Sequence, residues 1–244
     1  MIMNLIRRIG LSFVCVALLS QSNLSGQSFD VASVKPSAPD SHTETRRWPG
    51  GRFTATGVTL RALMQRAWDV QDFQIAGGPK WIDNDRFDID ARARPDDPTK
   101  LNALIQALLA ERFHLKIHQE TRTTSGYSLV AARKGPKITR NATSGPSTWS
   151  LFRGNLVAKN ASMDMLASDI LQKALHRPVV NNTGLDGTFD LKLTWAPDDD
   201  TSVEAEPLPS FFTAVREELG LELKPHPQQA VVFVIESVEK PSAN

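Results

Sequence analysis

The sequence predicts an α+β protein, a tandem duplication of one β-α-β-β-α-β-β unit in which two helices pack on a small, mainly antiparallel sheet. Three observations lead there. Stretches with two-residue alternation flank stretches with helical periodicity. Thr59 and Ser162 stand between the two kinds as helix caps. The same order of elements is also read twice, with Gly51–Thr59 (GRFTATGVT) answered by Gly154–Ser162 (GNLVAKNAS).

Each of those segments is a short strand. After the first cap, Leu60, Leu63, Met64, Ala67 and Trp68 fall on one helical face, and Met163, Leu166, Ala167, Ile170 and Leu171 do so after the second. Phe73–Pro79 and Pro178–Gly184 each read as a short strand running into a turn. Arg86–Ala91 and Thr188–Leu193 are alternating strands that share a Phe-Asp pair. A second helix follows in each copy. The first carries Leu101, Leu104, Ile105, Leu108 and Leu109, with Pro98 suited to its first turn. The second carries Phe211, Phe212, Val215 and Leu219, with Ser210 as cap and Gly220 at its end. Phe113–Ile117 and Tyr127–Ala131 close the first copy, and Leu221–Lys224 and Val231–Ser237 close the second. Phe29–Lys35 reads as an extra N-terminal strand. The units are therefore expected at 27–137 and 154–244, joined by a polar linker at 138–153.

Residues 1–26 have the layout of a secretory signal peptide: Arg7 and Arg8, an uncharged apolar run from Ile9 to Leu19, then a small, polar stretch ending at Gly26. The run is too short to span a bilayer as a stable helix. Cys15, the one cysteine, lies inside it after Val14, the wrong context for a lipid anchor. Cleavage leaves a chain with neither disulfide nor thiol chemistry. Removing Arg7 and Arg8 from the 28 basic residues leaves 26 against 27 acidic ones. That balance gives no electrostatic reason to expect nucleic acid. The expected location is periplasmic or secreted.

No constellation specifies catalysis. His114 and His118 sit in an alternating stretch read as a strand, where they stand roughly 13 Å apart, too far to share a metal ion. His42, His176 and His226 are scattered among loops. The sequence has no Gly-x-Ser-x-Gly nucleophile pattern. Asp83, Asp85, Asp88, Asp90 and the triplet Asp198–Asp200 read as solvated carboxylates. Gly77-Gly78-Pro79 precedes no Lys-Ser/Thr, so it is a chain reversal and not a phosphate loop. Trp68 and Trp81 flank it. A groove of Trp68, Gly78 and Trp81 could take a wall glycan or peptide, although core or rim packing is the better reading of these residues. No catalytic residue, metal or cofactor is expected.

Several phrases stand together: FDVASVKP from Phe29, RFDI from Arg86, NTGLDGTFD from Asn182, LGLEL from Leu219 and VEKPS from Val238. They resemble a soil-associated family of exported bacterial proteins whose domain has no known function. The resemblance runs over almost the whole mature chain, and Thr-Gly-Leu-x-Gly is its most specific element. Some relatives carry the domain behind a membrane sensor peptidase; this chain resembles the stand-alone form. The helix-strand-strand-helix order is also loosely similar to the short N-terminal periplasmic modules of secretins and TonB-dependent receptors. The duplication, the export signal and the secretin-like element order together point to a non-enzymatic binding protein whose partner is another envelope protein. The alternatives are a small-ligand or cell-wall binder and a hydrolase assembled from Asp or His residues of both copies.

Overall fold

A computed structural model of the chain describes residues 28–93, 97–141, 145–197 and 208–241. The expected signal peptide with Cys15 and the triplet Asp198–Asp200 lie outside the described residues. The rest forms an α+β fold of three small sheets and five helices.

Eleven strands are described: β1 (Val31–Pro36), β2 (Glu44–Trp48), β3 (Arg52–Thr59), β4 (Ile75–Gly77), β5 (Arg86–Arg92), β6 (Lys116–Ala131), β7 (Thr148–Phe152), β8 (Asn155–Ser162), β9 (Val179–Asn181), β10 (Thr188–Thr194) and β11 (Leu221–Ser237). Two sheets are antiparallel, with orders β1-β5-β3-β2 and β10-β8-β7. The third, β4-β11-β6-β9, is mixed, because β4 and β9 join it in parallel.

The helices are α1 (Leu60–Trp68), α2 (Trp81–Asn84), α3 (Leu101–Arg112), α4 (the consecutive segments Met163–Met165, Leu166–Leu171 and Gln172–Leu175) and α5 (Phe211–Glu218). The periodic apolar faces explain why they form. Leu60, Leu63, Met64 and Ala67 of α1 are buried, as are all five expected residues of α3 and all five of α4. Capping fixes where they start. Thr59 Oγ1 accepts the Ala62 N–H at 3.2 Å, and Ser162 Oγ accepts that of Met165 at 3.1 Å. The middle of α4 is wound as a π-helix. On α5 the expected face is corrected. Phe212 is 44% exposed, and Ala214 takes the inward place beside Val215.

Strands expected as separate pairs are in fact continuous. Lys116, Ile117 and Tyr127–Ala131 belong to β6, with Phe113–Leu115 outside it, while Leu221–Lys224 and Val231–Ser237 are the two ends of β11. β6 and β11 run antiparallel along nearly their whole length, from Leu221 opposite Ala131 to Ser237 opposite Lys116. This ribbon crosses between two hydrophobic cores. Phe233 and Ile235, near the C-terminus, enter the first core with α1 and α3. Leu129, from the first half of the chain, enters the second with Leu221, Leu223 and α4. The polar middle, Thr123–Gly126 against His226–Gln229, hides the continuity from a pattern reading.

The expected linker is also corrected. Thr148–Phe152 within it is β7, whose Trp149 and Leu151 pack on the second core, and Ile138 packs there too. His114 lies outside the strand and takes φ 47°, so it does not share a strand face with His118. The N-terminal segment does add a strand, β1, at one edge of the first sheet.

Candidate functional site

The three residues expected to line a groove are each engaged in packing. Trp68 tilts against Phe233, with ring centroids 6.0 Å apart. Trp81 stacks on Phe113 at 6.4 Å and meets Phe87 edge-on at 6.2 Å. Gly78 has φ 85°, and a Cβ there would stand 2.7 Å from Ile82 Cδ1 and 3.0 Å from Ile235 Cδ1. The backbone thus closes over two core side chains. A small pocket lies elsewhere, between the start of β1 and the end of α3, lined by Asp30, Ala32, Glu111 and Arg112 among others. There Arg112 donates to the Ala32 carbonyl at 3.0 Å, while its Nε is buried without a hydrogen bond. Two carboxylates beside that arginine leave the pocket without a clear preference for an anion.

The histidines go to different carboxylates. His118 Nδ1 lies 2.8 Å from Glu236 Oε1, and His114 Nδ1 lies 3.4 Å from Glu239 Oε2. Asp90 holds Arg52 in a two-pronged ion pair at 2.9 and 2.6 Å, which lowers its pKa from the ordinary carboxylate value. Asp88 accepts from Ser37 Oγ at 2.5 Å and the Gly57 N–H at 2.9 Å. The contacts of Asp88 and Asp90 tie β1, β3 and β5 together.

Backbone edges are more informative. An unpaired strand edge presents rows of N–H and C=O groups that can accept another strand, and proteins ordinarily block such edges. The outer edge of β1 has its Ala32 carbonyl taken by Arg112. β10 is flanked by Arg140 and Asn141, the latter donating its N–H to the Thr188 carbonyl at 2.7 Å. β4 and β9 are three residues each. On β11, Pro225 and Pro227 lie opposite Tyr127 and Ser125. Tyr127 sends its N–H to the Pro178 carbonyl, away from β11. Both prolines therefore point their donor-less nitrogens to the open side, where they block pairing. β2 carries Glu44, Arg46 and Arg47 and is exposed throughout, another common form of edge protection.

β7 has none of these devices. Its five residues, Thr-Trp-Ser-Leu-Phe, include neither charge nor proline. It pairs with β8 on one side, and among the described residues no strand pairs with the other. The connecting turn explains which groups face outward. Arg153 and Gly154 both have positive φ, 37° and 71°, as a two-residue type I′ hairpin turn requires. In such a hairpin the closing pair, Phe152 with Asn155, is hydrogen-bonded, and bonding alternates from there. Ser150 and Phe152 thus bond β8, whereas Trp149 and Leu151 turn their N–H and C=O groups outward.

Side chains divide in the complementary way. Trp149 and Leu151 lean on the second core, and Lys173 Nζ sits 5.1 Å from the Trp149 ring. Thr148, Ser150 and Phe152 face solvent, with Phe152 70% exposed and the Arg153 guanidinium 5.8 Å from its ring. Behind β7 the sheet is braced by Asp190 on β10. Asp190 accepts from Lys159 Nζ at 2.8 Å, Asn141 Nδ2 at 2.7 Å and the Asn160 N–H at 3.0 Å. These donors, the lysine foremost, lower its pKa from 3.8 to about 2.

Sequence reading placed this segment in the linker and missed it. The available signals were the alternation of Trp149 and Leu151 and the turn at Arg153-Gly154.

The described residues define an α+β protein of small sheets with one unblocked, uncharged edge. The chain belongs to a family described as protein of unknown function (DUF3738), whose model matches residues 61–238 of the 244. No curated protein and no solved structure matches the chain.

Proposed function

We propose that this is an exported cell-envelope binding protein, periplasmic or secreted, that acts by receiving a strand of another envelope protein and not by catalysis. The observation that carries the reading is the β7 edge, where the outward N–H and C=O groups of Trp149 and Leu151 lie in a strand without charge or proline, next to the exposed Phe152 ring. Strand addition uses such groups for affinity and the neighbouring side chains for selection. The apolar, export-type start of the sequence supports the location, and the loose likeness in element order to secretin and TonB-dependent receptor modules supports a binding role by analogy.

The same reading takes the two halves as copies of one unit. Its support is the repeated detail at matching positions. Thr59 and Ser162 cap α1 and α4, and the αL residues Gly57 and Asn160 each donate a backbone N–H to the aspartate of a Phe-Asp pair. On this view the duplication supplies two cores held by one ribbon, and β7 is the edge left open for binding.

Leu151→Pro tests the proposal, because it removes an outward N–H at the centre of the edge. Envelope proteins retained by the immobilised wild type should be lost by this variant while far-UV circular dichroism stays unchanged. Equal retention by both would contradict strand addition at β7.

A further inference from the structure

Resting on the reading of β7 as a docking edge, we infer that the strand it receives at rest is the β7 of a second copy, in an antiparallel pair centred on Ser150. The first argument is hydrogen-bond parity. Only Trp149 and Leu151 turn their backbone groups outward, so a partner must set outward-facing residues opposite both. A second β7 centred on Ser150 does this. Trp149 meets Leu151 of the second copy, Leu151 meets Trp149, and each pair exchanges two hydrogen bonds. Ser150 lies on the two-fold axis opposite itself, in a non-bonded position where side chains come closest. Such a contact is isologous and closes at two copies.

Charge and shape argue the same way. The five residues of β7 bring no charge of their own to the pair. β2, the other long exposed edge, would set Arg46 against Arg46 if paired about its own centre. Opposed like charges destabilise cross-strand pairs. On the solvent face the self-pair lays Phe152 over Thr148 of the second copy, covering a ring that is 70% exposed. On the other face Trp149 and Leu151 continue the apolar layer above the second core. The two three-stranded sheets become one six-stranded sheet, with both exposed β7 edges removed. Partner binding is then an exchange: an envelope strand displaces the second copy.

The axis position makes the inference testable by charge reversal. Ser150 is exposed and bonds only through its backbone, so Ser150→Lys and Ser150→Asp should leave far-UV circular dichroism and the thermal midpoint unchanged. Sedimentation velocity of the full chain over a concentration series should show wild type moving from one copy toward two. Each variant alone should stay single, since like charges oppose across the axis, and an equimolar mixture should regain pairing. Wild type that stays single at every concentration, or a Ser150→Lys variant that pairs as wild type does, overturns the inference. Hydrogen exchange then separates the two levels. If wild type stays single but its Trp149 and Leu151 amides slow on addition of envelope extract, self-pairing is wrong and the docking edge stands. If it stays single and those amides do not respond, both readings fall.

Discussion

The carboxylate of Asp190 accepts the backbone N–H of Asn160 at 3.0 Å where the register of β8 against β10 slips. Asp88 does the same for Gly57 at 2.9 Å where β3 slips against β5. In each case a β-bulge turns one residue to positive φ, 50° at Asn160 and 61° at Gly57, and the aspartate holds the N–H that the bulge releases.

The bulges differ in what they tolerate. Asn and Gly both enter the left-handed region at low cost. Asn160→Gly keeps that conformation and loses the bonds that Asn160 Oδ1 accepts from Asn141 Nδ2 at 2.9 Å and Thr188 Oγ1 at 3.4 Å, so a cost of about 1 kcal/mol is expected. At Gly57 a Cβ would also stand 2.9 Å from the His42 carbonyl oxygen and 3.0 Å from that of Ser41. Gly57→Asn should therefore cost about 1–3 kcal/mol. Urea unfolding of the two variants checks both costs.

Asp190 should give the second sheet an acid-sensitive step. Its folded pKa is lowered to about 2 by Lys159, Asn141 and the Asn160 N–H, against 3.8 ordinarily. The unfolded chain thus takes up the proton first as pH falls, so the stabilisation is complete above the ordinary value and is lost on the way down to about 2. Urea midpoints measured across that window should fall less steeply in Asp190→Asn than in wild type. An unchanged slope would show that the carboxylate does not carry the effect.

The crossing of the ribbon predicts a long-range consequence. Ile235→Ala removes a side chain near the C-terminus, yet Ile235 lies in the first core with α1 and α3. A cost of about 2–4 kcal/mol is expected. Hydrogen exchange should rise first in α1 and α3, not in α5. Faster exchange confined to α5 would contradict the crossing.

Trp81 is expected to matter for stability. Because its ring packs on Phe113 and Phe87, Trp81→Ala should cost about 2 kcal/mol or more. Fluorescence titration of wild type with a cell-wall glycan fragment is expected to be flat. Saturable quenching lost in Trp81→Ala would revive the groove as a ligand site.

Much of the fold is legible in the sequence. Leu101, Leu104, Ile105, Leu108 and Leu109 announce α3, and Thr59 and Ser162 announce the helix starts, because burial and capping are local in sequence. The ribbon is not. Phe233 belongs to a core built largely from residues more than a hundred positions earlier, and nothing local to Val231–Ser237 says which core will receive it. Phe212 reads as buried because its neighbours do, but α5 leaves it beside Tyr127 at 5.5 Å, still 44% exposed. The edge is harder still. Thr148–Phe152 turns only two apolar side chains, Trp149 and Leu151, to the core, and its distinction is the missing charge on one unpaired side, a property of the sheet.

Backbone hydrogen exchange along β7 tests the account most directly. With the protein dilute and alone, the Ser150 and Phe152 amides should be protected by β8 while those of Trp149 and Leu151 exchange freely. When a strand docks, whether from a second copy or an envelope partner, Trp149 and Leu151 should become protected and their neighbours change little. Partner binding that leaves the Trp149 and Leu151 amides as fast as before would place the interaction elsewhere and contradict the central claim.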